Sequence, residues 1–130
     1  MPNEIRWLPI EVVIELNRTL VAMTGERHFL RDRGLLESAL ARPQNALAYG
    51  EEDIVALAVR LMAGIAQAHA FEQGNKRTAF ASLRLFLHPN GHDLAIEDSE
   101  AWAESVISLI EHRSTEEDFT RAIRPHVIAR

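Results

Sequence analysis

His69-Ala70-Phe71-Glu72-Gln73-Gly74-Asn75-Lys76-Arg77-Thr78 is the stretch on which the reading of this chain turns. It interrupts a helical pattern on both sides. Before it, Glu51, Glu52 and Asp53 sit where negative charge favours a helix start. The residues that follow to about Ala68, among them Ile54, Val55, Leu57, Ala58, Val59, Leu61, Met62 and Ile65, are apolar almost all round, as in a helix buried on every side. After it, the helical period resumes from Lys76 to Leu87 with Ala79, Phe80, Leu83, Leu85 and Phe86. The stretch is therefore the turn of a helical hairpin. The first N–H groups of its second helix have no intrahelical partner and, with the helix dipole, form a natural anion site.

The residue types in the turn suit phosphate chemistry. Gly74 can take a positive φ that a residue with Cβ resists, letting the backbone wrap a phosphate closely. Lys76 and Arg77 add positive charge beside it, and Asn75 opens the helix. His69, at the rim, carries a side chain suited to taking a proton from an attacking hydroxyl. Together they point to group transfer at phosphorus, which depends on positioning and charge stabilisation. Each residue alone has a plainer reading: His69 as a helix-ending residue favoured by the dipole, Asn75 as an N-cap, Gly74 as a turn glycine, Lys76 and Arg77 as solvated charge. Phe71 reads as core in either case, pinning a polar loop to the interior. The combination decides.

Further out, the helical signal continues. Pro9 to about Met23 places Ile10, Val13, Ile14, Leu16 and Leu20 on a broad face that Gly25 closes. Asp32 can cap a helix from Arg33 to Ala41 that ends before Pro43, leaving Gln44 to Gly50 as a connection. Pro89-Asn90-Gly91 stops the second hairpin helix, and His92 to Ile96 reads as briefly extended. A further helix starts at Asp98 or Ser99 and runs through Ile110. Ser114-Thr115-Glu116-Glu117 has capping-box spacing for a last helix that Pro125 ends. The expected fold is all-α, a compact domain spanning residues 1 to 130 around a central helix-loop-helix. Trp7 and Trp102 read as core or subunit-contact aromatics.

Composition narrows the function classes. The chain has 130 residues, 47% of them hydrophobic, which suits one folded domain. It has no cysteine, so neither disulfides nor thiolate metal sites are available. No apolar run approaches the ~20 residues that span a bilayer, and Met1 to Arg6 lack the character of a signal peptide. A cytoplasmic protein with no membrane partner is expected. A net charge of −5 argues against direct binding of nucleic acid, while Lys76, Arg77 and Arg84 concentrate positive charge locally.

The loop resembles the signature of the Fic/Doc family, H-x-F-x-[DE]-[GA]-N-[GK]-R, with His69, Phe71, Gly74, Asn75, Lys76 and Arg77 at the matching offsets. Gly34 to Pro43 and Asn90-Gly91-His92 are similar to stretches of death-on-curing proteins, and the similarity covers roughly residues 5 to 125. The resemblance implies a catalytic set of His69, Lys76 and Arg77, with His69 as general base. It implies phosphate binding by Gly74, Asn75, Lys76 and Arg77, and ATP as co-substrate. Lysine rather than glycine after Asn75 resembles the Doc branch. That branch implies a toxin of a toxin–antitoxin system, a kinase acting on a protein hydroxyl, with translation elongation factor Tu as target. It also implies a small antitoxin whose disordered C-terminal segment folds into a groove on the toxin.

Gln73 departs from the signature. It stands where the family has the acidic residue that holds Mg²⁺, and an amide carbonyl is a much poorer anchor for that cation, so Gln73 is a weak metal ligand at best. Two other functions follow if the Doc analogy fails: a Fic-type protein adenylyltransferase, or a Fic-like module that binds nucleotide or a partner without turnover. No [ST]-x-x-x-E-[GN] inhibitory signature is apparent, which fits restraint by a partner. A metallohydrolase built on His88 and His92, or on His112 and His126, is disfavoured because Pro89-Asn90-Gly91 separates the first pair.

Overall fold

The computed structural model describes residues 4–96 and 99–130. Six helices follow in order: α1 Ile10–Met23, α2 Arg33–Ala48, α3 Ile54–Ala68, α4 Asn75–Leu87, α5 Glu100–Ile110 and α6 Glu116–Ile123. Two short strands, β1 His92–Leu94 and β2 Val127–Ala129, pair antiparallel and tie the chain's end to the exit of α4. The fold is thus the mostly helical one expected, and the extended reading of His92 to Ile96 reduces to three residues.

The all-round apolar sequence of α3 has the predicted consequence. Val55, Leu57, Ala58, Val59, Leu61, Met62, Ala63, Gly64, Ile65 and Ala66 are all buried, with α2, α4, α5 and α6 packed around them. Gly64 sets the closest approach. A Cβ there would lie 3.2 Å from the carbonyl oxygen of Ala39 and 3.0 Å from Cδ of Arg42. Trp7 stacks on Phe86, and Trp102 meets Phe119 edge-on, each pair 5.8 Å apart, so both tryptophans serve the packing.

Two local expectations need correction. α2 does not stop before Pro43; it continues to Ala48 with Pro43 buried inside it, so Gln44 to Ala48 is helix rather than connection. Proline removes one backbone bond and crowds the carbonyl four residues earlier, at a cost of about 3 kcal/mol. Packing offsets it: Leu40 and Pro43 are buried, Ala46 and Leu47 lie against the core, and Arg42 reaches the Arg60 carbonyl and the Glu116 carboxylate. The last helix is capped one residue later than the spacing suggests, with Thr115 and Asp118 exchanging bonds rather than Ser114 and Glu117. Ser99, one of the two starts expected, caps α5; the other, Asp98, lies outside the described residues, as do Met1 to Asn3 and Glu97.

Candidate active site

The turn between α3 and α4 is stitched to the rest of the molecule on three sides. His69 ends α3 in the left-handed conformation, φ 50° and ψ 41°, with an exposed side chain. A residue with Cβ resists that conformation, and the neighbouring chain holds it in place. Arg31 donates from Nη2 to the carbonyls of His69 (3.1 Å) and Phe71 (3.3 Å). The backbone N–H groups of Arg31 and Asp32 donate to the Ala70 carbonyl, and that of Glu72 donates to Phe29. Residues 29–32 therefore run beside the turn like a strand, with one antiparallel bridge between Leu30 and Phe71. Phe71 is fully buried, the anchor its position suggested.

Within the turn, Asn75 bonds back to Phe71 with both ends of its amide. Its Oδ1 accepts from the Phe71 N–H at 3.1 Å, and its Nδ2 donates to the Phe71 carbonyl at 2.8 Å. Asn75 is the first residue of α4 rather than its cap; Gly74 holds the cap position, and no side chain caps the helix there. α2, α3, α5 and α6 have side-chain caps in Asp32, Asp53, Ser99 and Thr115, whereas α1, entered through Pro9, shares with α4 the lack of one. The N-terminus of α4 is left with main-chain donors for an anion, beside the exposed Lys76 and Arg77.

The third side is α1. Gly74 has the expected positive φ, 76°, but the space its missing Cβ vacates is taken by α1: a Cβ would lie 2.8 Å from Cγ1 of Val21 and 3.2 Å from Nδ2 of Asn17. The glycine thus lets the turn sit down on α1, a packing role in addition to the one expected of it toward a phosphate. Arg77 is also drawn toward α1. Its guanidinium bonds Thr24 Oγ1 at 3.1 Å and the Leu20 carbonyl at 3.4 Å, and pairs with Glu26. Glu26 is held below the usual carboxylate range, first by the Thr24 hydroxyl and then by the Arg77 guanidinium. A phosphate reaching Arg77 would share it with that carboxylate.

The residues at the turn do not build a cage for a divalent cation. Gln73 and Glu72 are exposed, and Glu72 lies 3.7 Å from Arg27. Among the described residues no three His, Asp or Glu side chains gather in a metal-holding group. Magnesium wants several hard oxygens, so an ion here would have to come with the phosphates of a nucleotide. His88 bonds Asp93 and His92 bonds the Asn90 carbonyl, with Gly91 at φ 89° between them, so that pair does not converge.

A groove of about 690 Å³ runs along α1, α4 and α5 and begins at Lys76 and Arg77. Leu16 and Leu20 of α1, Phe80 of α4 and Trp102 and Val106 of α5 make it apolar. Sequence reading placed Leu16, Leu20 and Phe80 on the inner faces of their helices and missed that part of those faces stays open. Asn17, Arg31 and Glu26 were also missed. Asn17 is the one a polar side chain on an apolar helix face could have signalled.

Comparison with known proteins agrees with this geometry. Residues 7–87, which include α1 to α4 and the turn, match the sequence family described as the Fic/DOC family. The chain is 40% identical over 101 residues to the Toxin Doc of Mycolicibacterium smegmatis, covering 75% of this chain and 76% of that protein. It is 32% identical over 87 residues to the Protein kinase doc of Escherichia phage P1, covering 66% of this chain and 69% of that one.

Proposed function

The chain belongs to the Fic/Doc family, and from that membership we propose that it is a Doc-like toxin that transfers the γ-phosphoryl group of ATP to a protein hydroxyl. The observation that carries the reading is the helix N-terminus left without a side-chain cap, flanked by Lys76 and preceded by an exposed histidine. In the reaction, the His69 imidazole takes the proton of the target hydroxyl as its oxygen attacks the γ-phosphorus, and the bond from that phosphorus to the bridging oxygen of ADP breaks. The main-chain donors of α4 and the Lys76 ammonium take up charge on the transferred group, and Arg77, shared with Glu26, steadies the phosphates. Asn75 keeps the turn closed around them. Residues 1 to 130 act as one domain on this reading.

A relative named a toxin suggests an antitoxin, and the apolar groove offers it a place. A segment disordered when free would fold with its apolar side chains against Phe80 and Trp102. Its end would lie near Lys76 and Arg77. Elongation factor Tu, a cytoplasmic protein, is the target that the Doc branch suggests. Gln73 favours a second reading, a nucleotide-binding module with little turnover, because the turn lacks the usual carboxylate.

Growth on expression tests the proposal. The wild-type chain should arrest growth, and His69→Ala should abolish the arrest while leaving helical circular dichroism and melting temperature unchanged. Ala103→Glu, an exposed position in the groove wall, should remain toxic yet escape rescue by the co-expressed antitoxin. A fully toxic His69→Ala would remove the general base from the account.

A further inference from the structure

Asn17 is a polar side chain in a place that polar side chains avoid. It is fully buried on α1, on the face it shares with Val13 and Val21. Burying an amide without partners costs about 1–3 kcal/mol by mutational data, and here every polar atom has one. Nδ2 donates to the Gln73 carbonyl at 2.9 Å and to Thr78 Oγ1 at 3.0 Å. Oδ1 lies 2.8 Å from Nδ1 of His28 and must accept, so that nitrogen carries the proton. The two donations span the entry and the first turn of α4, on either side of the main-chain groups assigned to the phosphate.

The bond to Gln73 has a stereochemical consequence. A trans peptide points its C=O and N–H in opposite directions, and the described chain has no cis peptide. With the Gln73 carbonyl drawn inward to α1, the N–H of Gly74 is turned outward to the open side of the turn. Rotating that one peptide plane would withdraw a donor from the anion. Gly74 cannot relax toward α1 instead, because Asn17 and Val21 fill that side. Glycine, which moves more freely than any other residue, is thus made rigid from behind.

We infer that Asn17 is a positioning residue for the phosphate site: by holding the Gln73–Gly74 peptide plane and Thr78, it presents the main-chain donors of α4 to the nucleotide. The inference rests on the phosphate-binding reading of the turn and adds to it a part of the fold 56 residues away in sequence. Asn75 closes the turn from within; Asn17 orients it from behind.

The test compares Asn17→Asp, which keeps shape but removes the donor, with Val13→Ala, which loosens the same face of α1 without touching the turn. Two quantities are read on the folded proteins: ATP affinity by calorimetry, and the Gly74 amide resonance without ligand. Asn17→Asp should weaken ATP binding by about tenfold, the scale of one lost hydrogen bond, and shift the Gly74 amide. Val13→Ala should do neither at a matched fall in melting temperature. An Asn17→Asp protein equal to wild type in both readings overturns the inference, and so does a Val13→Ala protein that loses as much affinity. If Asn17→Asp does not fold, Asn17→Leu, of similar volume and suited to its apolar neighbours, replaces it with the same expectations. Should the wild type bind no ATP, the proposed function fails, and the unliganded Gly74 amide alone then decides the clamp: moved in the variant, it stands; unmoved, it falls.

Discussion

At position 73 an amide stands between the carboxylate of Glu72 and the donors and cations that open α4. Its main-chain oxygen is taken by Asn17 and its side chain is exposed, so the position is free to change without disturbing the fold. Replacing it by a carboxylate would put a hard anionic oxygen beside a triphosphate-bound cation, where it gains more than an amide does. Gln73→Asp should therefore tighten Mg²⁺-dependent ATP binding and raise transfer, as titration of Mg²⁺ against both proteins would record. Identical metal dependence would mean that the nucleotide phosphates alone hold the ion. At this scale the identity of the loop residues was readable from sequence, because glycine, asparagine and two cations in one short window have few joint uses. Their partners were not. That Gly74 yields its space to Val21, and that Arg77 pairs with Glu26, depends on contacts more than 50 residues apart in sequence, which no local pattern encodes.

Among the helices, α3 was legible because its apolar residues cover every face, a pattern that only burial explains. α2 was misread at Pro43 for the complementary reason: local rules end a helix at proline, while burial against α3 carries it through. The start of α3 offers a test of how firmly this central element is held. Asp53 caps it by accepting from the Val55 N–H and pairs with Arg124 beyond α6. The Arg124 guanidinium, more than any other contact, lowers the Asp53 carboxyl below its ordinary value of 3.8. A depressed carboxyl stabilises the fold fully above its ordinary pKa and loses that contribution as pH falls through the lower, folded value. Asp53→Asn should cost roughly 1 kcal/mol at neutral pH, given that the pair is partly exposed, and should melt with a shallower decline below about pH 4. Glu26 and Asp118 are also lowered but titrate in both proteins, so the difference isolates Asp53. Parallel acid limbs for the two proteins would contradict the role given to this pair.

Across the whole molecule, an acidic body of net charge −5 carries a small basic site at the head of α4 and an apolar groove leading from it. Sequence composition foretold the first two features, since they are sums and clusters along the chain. The groove arises only when α5 is set beside α4 and across from α1 with part of each face left open, and no single helix announces it. No helix among the described residues is long and apolar enough to cross a membrane. What the arrangement is proposed to do turns on which phosphorus faces His69. A lysine after Asn75, bulkier than the glycine of adenylyltransferases and charged, should hold the triphosphate tail so that its terminal phosphate is presented. ATP labelled at either the α or the γ phosphate, incubated with the protein and a cell extract, reads this directly. Label should enter protein from the γ position, and His69→Ala should abolish it. Label entering from the α position alone would make the protein an adenylyltransferase and rule out γ-phosphoryl transfer.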